Sequence, residues 1–124
     1  EAATEDILAD LRAETADRLE PHGIGLSWNL VAAPGATLSQ QKVYALRALV
    51  REAVSNTIKH ADAQRMDVTI ALDTAWLNLN IRDDGKGLPA QTDSLGSGLI
   101  NMKIRVESFG GEIVVAGGQG TLLT

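Results

Sequence analysis

The apolar residues of this 124-residue chain repeat with two different periods, and the order of these periods limits the folds that the chain can adopt. Apolar side chains recur at helical spacing over residues 4–20 and 39–60. Over residues 24–30, 66–72 and 77–81 they alternate with polar or small residues, as in a strand that has one buried face. Helical and strand segments that are interleaved in this way predict an α+β domain.

Both helical segments have a sequence signal at their start, because Thr4 and Ser39 can each accept a hydrogen bond from a free backbone N–H group. Pro21 and Gly23 end the first helix, whereas the end of the second helix, near His60, is less sharply defined. The positions expected to be buried in the first helix are Leu8, Leu11, Thr15 and Leu19. Those expected to be buried in the second helix are Val43, Leu46, Val50, Ala53, Val54 and Thr57.

The second half of the chain predicts two hairpins and a third helix. A short polar turn at 73–74 joins two alternating segments, which predicts an antiparallel hairpin. Residues 83–97 are rich in Gly, Asp and Ser and have no periodicity, which predicts a flexible loop. A helical stripe returns over residues 99–109. Two short apolar runs, 113–116 and 121–123, are separated by glycines and predict a closing hairpin.

The predicted order of elements is helix, strand, helix, two strands, loop, helix and two strands. This order predicts a two-layer α/β sandwich in which three helices cover one face of a mixed five-stranded sheet. A hydrophobic content of 44% suits a single domain, residues 1–124, with one core.

Composition argues against several classes of function. The formal net charge of −5 gives no general attraction to nucleic acid, so we do not expect nucleic acid as a partner. The chain has no cysteine, which excludes disulfides, a thiol nucleophile and thiolate metal ligands. No signal peptide and no apolar run of membrane-spanning length occurs in the sequence. We therefore expect a cytoplasmic domain, whose parent protein can still be anchored to a membrane by another segment.

Three polar residues of the second helix, Glu52, Asn56 and Lys59, lie within about 60° of one another, on the side opposite the apolar stripe. A carboxylate, an amide and an ammonium group therefore share one face of this helix. The pattern is typical of a solvated helix face as well as of a binding site, and the helix alone does not decide between them.

Two glycine-containing segments flank the predicted loop. In IRDDGKG a strand runs into Asp83 and Asp84, and a carboxylate at a strand end can accept a hydrogen bond from an exocyclic amine such as that of adenine. Gly96 and Gly98 precede a helix that starts near Leu99, and the free amides of a helix N-terminus suit phosphate oxygens. An ordinary Asp-Gly turn and an ordinary loop-to-helix junction stay open as alternatives for each segment taken alone.

Taken together and in this order, the segments resemble a known family. REAVSNTIKHADA, DDGKG, GSGLINMKIRVESFGG and the final GQGT are similar to the N box, the two glycine boxes and the terminal Gly-Thr of the histidine-kinase ATP-binding domain. The resemblance extends from near Leu38 to Thr124 and implies the Bergerat fold of the GHKL superfamily, which DNA gyrase and MutL share. Among sensor kinases, GLINMKIRVESFGG and the short loop most resemble the branch named for nitrate and lipid-fluidity sensing.

The resemblance implies roles for residues at both ends of a bound ATP. Asn56 would ligate a Mg²⁺ ion that bridges the phosphates, and Glu52 would act as a base or polarising group near the reacting phosphoryl. Asp83 would receive the adenine amine, and Thr121 would support Asp83 through water. The other residues implied to contact the nucleotide are Lys59, His60, Gly85, Gly87, Gly96, Gly98 and Leu99. Of these, Lys59 and His60 would neutralise phosphate charge, although a helix-end cap is an equal alternative for His60.

The chain departs from the family pattern at several points. Asp84 stands where Asn is frequent, no Phe-containing box lies in the loop, and only residues 88–95 separate the glycine motifs. The short loop agrees with the nitrate-sensor branch, whereas Asp84 concerns the details of the adenine contact. His22 has no acidic partner of the kind that flanks a phosphoacceptor, and neither His22 nor His60 resembles one.

The resemblance thus predicts a catalytic domain that binds Mg-ATP and donates the γ-phosphoryl to a histidine on dimerisation helices of the same protein. The phosphoryl would then pass to an aspartate of a response regulator, and the parent protein is expected to be a homodimer. An anti-sigma-factor serine kinase shares Glu52, Asn56 and the glycine boxes, but MKIRVESFGGEIVV is more similar to sensor kinases. A degenerate nucleotide-binding module is a further alternative, against which Glu52, Asn56 and Asp83 argue.

Overall fold

The structure, a computed structural model, describes residues 4–61, 63–84, 107, 112–116 and 119–123. In chain order, the elements within these residues are α1 (Thr4–Leu19), β1 (Gly25–Ala32), α2 (Gln40–Asn56), β2 (Arg65–Leu72), β3 (Leu77–Asp83), β4 (Glu112–Ala116) and β5 (Gln119–Leu123). A 3₁₀ turn, Glu20–His22, follows α1, and a π-helical turn, Thr57–Ala61, follows α2. The third predicted helix, over 99–109, lies outside the described residues except for Glu107, whose backbone is helical.

Helix α1 buries the face that its sequence predicts. Its buried residues are Leu8, Leu11, Thr15 and Leu19. The one polar member, Thr15, donates its hydroxyl to the Leu11 carbonyl oxygen at 2.7 Å, which satisfies the hydroxyl inside the core. After the 3₁₀ turn, Gly23 has a φ of 69°, a left-handed conformation that glycine adopts without steric strain.

Helix α2 starts at the predicted cap. The Ser39 side chain accepts a hydrogen bond from the Lys42 N–H at 3.2 Å. The buried residues of this helix are Ala45, Leu46, Leu49, Val50 and Val54. Val43 and Ala53, which were expected to be buried, are half-buried. Thr57, the last of the predicted apolar positions, is only 3% exposed and begins the π-helical turn.

The strands form one mixed sheet in the order β1-β2-β3-β5-β4. Strands β1 and β2 are parallel, and every other neighbouring pair is antiparallel. The two hairpins expected from the sequence, β2 with β3 and β4 with β5, are both present. The α+β class is therefore confirmed.

Both helices lie against the same face of the sheet. Every second residue of β2 and β3 is buried on this face, namely Met66, Val68, Ile70, Leu72, Leu77, Leu79 and Ile81. These side chains form one core with the buried residues of α1 and α2. Each fully buried aliphatic side chain contributes about 1.5–3 kcal/mol to folding, so this two-layer core fixes the position of α2 relative to β3.

Strand β1 lies at the edge of the sheet and is less covered than expected. Leu26 and Trp28 pack partly against the core, but Leu30, which the alternation places on the same face, is 38% exposed. In the part of the chain that the structure describes, no helix combines the length and the apolar character needed to span a membrane.

Candidate functional site

The end of α2 and the end of β3 meet at a hydrogen bond between Thr57 and Asp83. The Thr57 hydroxyl donates to Oδ2 of Asp83 over 3.4 Å, although the two residues are 26 positions apart. Thr57 is buried and Asp83 is half-buried, so the Asp83 carboxylate lies at the border between the core and the surface. This contact unites two of the segments that the sequence marked as candidates.

The polar residues of α2 lie close to this contact along the helix. Asn56 is the last residue of α2, and Glu52 precedes it by one helical turn, so the two side chains share one side of the helix. Both are half-buried. Lys59 is exposed and, like the backbone of His60, belongs to the π-helical turn that follows. A carboxylate, an amide and an ammonium group therefore lie on the last turns of α2 and on the turn that follows it.

Asp84, the residue that departs from the family pattern, has a structural role. Its Oδ1 accepts hydrogen bonds from the backbone N–H groups of Arg65 and Gln64, each at 2.9 Å. The Asp84 N–H in turn donates to the Arg65 carbonyl oxygen at 3.2 Å. These hydrogen bonds hold the backbone next to Asp83 against the start of β2. The hydrogen bonds from Arg65 and Gln64 favour the ionised carboxylate and lower the pKa of Asp84.

We expect Asp84→Asn to keep the two side-chain hydrogen bonds, because an amide oxygen can accept both of them. Asp84→Ala loses both. A lowered pKa in the folded protein means that the carboxylate stabilises the fold above its unfolded pKa of about 3.9. This stabilisation is lost as the pH falls through the folded pKa. The wild-type protein should therefore lose more thermal stability than Asp84→Asn when the pH is lowered from about 7 to about 3. Thermal denaturation of the three proteins checks this, and equal acid sensitivity of wild type and Asp84→Asn would contradict it.

A neighbouring face of α2 is attached to α1. Arg51 donates from Nε and from one terminal nitrogen to the two carboxylate oxygens of Glu14, at 2.9 and 2.8 Å. The hydrogen bond from Arg51 lowers the pKa of Glu14, but both side chains are substantially exposed, so the pair contributes less than about 1 kcal/mol. Arg18 also donates to Ser55 Oγ at 2.8 Å, beside Asn56. These contacts align α1 along the helix that carries Glu52 and Asn56.

The remaining predicted site residues are only partly described. Gly85, Gly87, Gly96, Gly98 and Leu99 lie outside the described residues. The backbone register pairs Thr121 with Asn80, three residues before Asp83 on β3. This pairing does not test a water-mediated contact, so the predicted support of Asp83 by Thr121 stays a prediction. Among the described side chains, no group of three or more His, Cys, Asp or Glu residues could hold a metal ion.

Sequence reasoning missed the role of Thr57. The helical period counted this residue among the apolar positions of α2, and its burial is confirmed. The signal that could have marked it is a hydroxyl on the buried stripe directly after Asn56. A buried hydroxyl requires a partner, but the sequence does not identify a partner on a distant strand.

Comparison with known proteins identifies the family. Residues 41–124 match the profile described as histidine kinase-, DNA gyrase B-, and HSP90-like ATPase. Because the match covers more than half of the chain, the chain belongs to this ATPase family. Together with similarity to curated sensor kinases, this match confirms the resemblance to the ATP-binding domains of sensor histidine kinases.

The chain is similar to several sensor kinases over more than half of its length. It is 32% identical over 105 residues to the signal transduction histidine-protein kinase/phosphatase UhpB of Salmonella typhimurium, a match that covers 83% of the chain and 20% of UhpB. It is 34% identical over 80 residues to the nitrate/nitrite sensor protein NarX of Escherichia coli K12, covering 64% of the chain and 13% of NarX. The chain thus spans a fifth or less of the length of these relatives.

Solved structures share the fold. The histidine kinase AdeS of Acinetobacter baumannii superimposes with a TM-score of 0.68 at 16% identity, covering 98% of this chain and 62% of that one. Full-length ShkA in complex with AMPPNP gives a TM-score of 0.69 at 21% identity, covering 98% of this chain and 29% of ShkA. At these identities the likeness concerns the fold.

Proposed function

We propose that this chain binds Mg-ATP and donates the γ-phosphoryl group to a histidine on the dimerisation helices of a homodimeric sensor kinase. The phosphoryl group then passes to an aspartate of a response regulator. The observation that carries the proposal is the contact between Thr57 and Asp83 at 3.4 Å. It brings the strand end that carries the adenine-selecting carboxylate next to the helix end that carries Glu52 and Asn56.

Asp83 receives the exocyclic amine of adenine. An ionised carboxylate offers about four lone-pair directions and no donor, so it accepts from the adenine amine and repels the carbonyl oxygen that guanine has at the same position. The half-buried setting of Asp83 strengthens this hydrogen bond, because a bond to a charged group gains strength away from bulk water.

The polar residues at the end of α2 act on the phosphates. Asn56 offers an amide oxygen, a hard ligand of the type that Mg²⁺ takes singly alongside water and phosphate oxygens. When bound, Mg²⁺ would supply positive charge that offsets the negative charge of the phosphates. Glu52 serves as the base or polarising group near the reacting phosphoryl, one turn from Asn56. The exposed Lys59 adds positive charge, as His60 does when it is protonated.

The remaining proposed contacts come from the glycine motifs and the last strand. Gly85, Gly87, Gly96 and Gly98 frame the nucleotide, and the backbone near Leu99 contacts phosphate. Thr121 supports Asp83 through water. These assignments rest on the family resemblance, and alanine or serine substitutions at each glycine test them by nucleotide titration.

Asn56→Ala should weaken ATP binding in the presence of Mg²⁺ by at least about tenfold, since loss of a metal ligand costs no less than loss of an outer-shell partner. Binding measured in EDTA should change little, because the metal no longer contributes. Isothermal titration calorimetry with and without Mg²⁺ measures both values. Asn29→Ala, at an exposed position of β1, is the matched control. If Asn56→Ala bound ATP in Mg²⁺ as tightly as the wild type does, the assignment of Asn56 as a Mg²⁺ ligand would be wrong.

A further inference from the structure

We infer that Thr57 is a positioning residue for base recognition, which orients the Asp83 carboxylate toward the adenine amine. The inference rests on the proposed role of Asp83. Thr57 is buried and donates to Asp83, so in this inference it acts through the carboxylate. Its hydroxyl is 3.4 Å from Oδ2 of Asp83 and belongs to a residue that is only 3% exposed.

The backbone of Asp83 is already fixed by other interactions. Asp83 pairs with Met66 in the ladder between β2 and β3. The next residue, Asp84, accepts hydrogen bonds from the backbone N–H groups of Gln64 and Arg65. Backbone interactions of this kind do not set the plane of a carboxylate, because the second side-chain torsion of aspartate has broad energy wells.

The Thr57 hydroxyl acts on that torsion. Because the hydroxyl donates to Oδ2, it favours carboxylate orientations in which this oxygen faces the end of α2. A distance of 3.4 Å is long for an O–H···O bond, whose usual range ends near 3.0 Å. The interaction therefore biases the orientation without holding the carboxylate rigidly. An ionised carboxylate has about four lone-pair directions, so accepting from Thr57 is compatible with accepting from the adenine amine.

The position of Thr57 in α2 keeps its hydroxyl in place. The residue is buried against the core and begins the π-helical turn directly after Asn56. Threonine has two favoured χ1 rotamers in a helical backbone, so the hydroxyl has few available directions. The same helix end thereby presents an amide to the phosphates and aligns the carboxylate that selects the base.

Thr57→Val tests the inference, because it replaces the hydroxyl by a methyl group and keeps the branched shape. Affinities for ADP and for GDP are measured by calorimetry in EDTA, so that metal binding through Asn56 does not contribute. We expect ADP affinity to fall by about three- to tenfold, because the carboxylate must then be ordered on binding instead of beforehand. GDP affinity should stay unchanged, so the preference for ADP falls by the same factor. Thr57→Ser, which restores the hydroxyl, should keep the wild-type preference.

The outcomes separate the inference from the proposed function. If Asp83→Asn abolishes the preference for ADP while Thr57→Val retains it, the positioning role of Thr57 is wrong and the role of Asp83 stands. If the wild-type protein shows no preference for ADP over GDP, the proposed role of Asp83 fails and the inference fails with it. Equal losses of ADP and GDP affinity in Thr57→Val, with a lower melting temperature, would mean that Thr57 serves the fold alone. Thr57→Ala, which also lacks the hydroxyl and favours helix, gives the same test if valine disturbs folding.

Discussion

Asp83→Asn is expected to weaken ATP binding by about a hundredfold and to abolish the preference for adenine over guanine nucleotides. The substitution removes the charge of a half-buried acceptor and introduces an NH₂ group that can face the adenine amine. Two donors then oppose each other, and the amine loses its charged acceptor. The loss should therefore exceed that of one ordinary hydrogen bond. Competition between ATP and GTP for a fluorescent ATP analogue measures both effects.

A second Asp→Asn change provides the matched control. Asp67 lies on β2 and pairs with Arg65 at 2.9 Å, and the two side chains are substantially exposed. Asp67→Asn makes the same chemical change at a surface ion pair of little energetic weight, so nucleotide affinity should stay the same. If Asp83→Asn bound ATP as tightly as Asp67→Asn does, the adenine contact would have to be assigned to another residue.

The sequence was sufficient to predict the elements that local periodicity determines. The four residues expected in the buried face of α1 are the four that are buried, because a helix has a fixed period of 3.6 residues and one face toward the core. The β2–β3 hairpin was predictable for a similar reason, since a short turn restricts the register of two alternating strands. Ser39 was predictable as a cap because its residue type suits that position.

Contacts between distant segments could not be predicted in this way. Local periodicity does not specify that β5 lies between β3 and β4, because this order depends on pairing between strands far apart in the chain. It also places Thr57 in the buried stripe without identifying Asp83 as its partner, 26 residues away. Asp84 looked like a departure from the family pattern, and only the structure shows its carboxylate bound to the backbone of Gln64 and Arg65.

The chain alone is expected to bind ATP without phosphorylating itself on histidine. In-line transfer requires an imidazole nitrogen close to the γ-phosphorus and opposite the leaving oxygen. His22 is exposed in the turn after α1, and β1 follows it at the edge of the sheet, separated from β3 by β2. His60 belongs to the turn at the end of α2. The proposed acceptor is therefore a histidine on the dimerisation helices, which approaches the γ-phosphate from outside this domain.

Proximity and orientation account for about 7–11 kcal/mol of barrier lowering in well-oriented reactions, so transfer without the acceptor helices should be slower by several orders of magnitude. The measurement uses γ-labelled ATP and follows acid-labile, alkali-stable label on the chain alone and after addition of the parent protein's dimerisation helices as a separate fragment. Label should appear only on the added helices, and Glu52→Gln should abolish it while ATP binding persists, because Glu52 is the proposed base or polarising group near the reacting phosphoryl. His22→Gln and His60→Gln test whether either histidine of this chain accepts the phosphoryl group. Stoichiometric labelling of the chain alone, removed by either substitution, would assign the acceptor to this domain and contradict transfer to the helices.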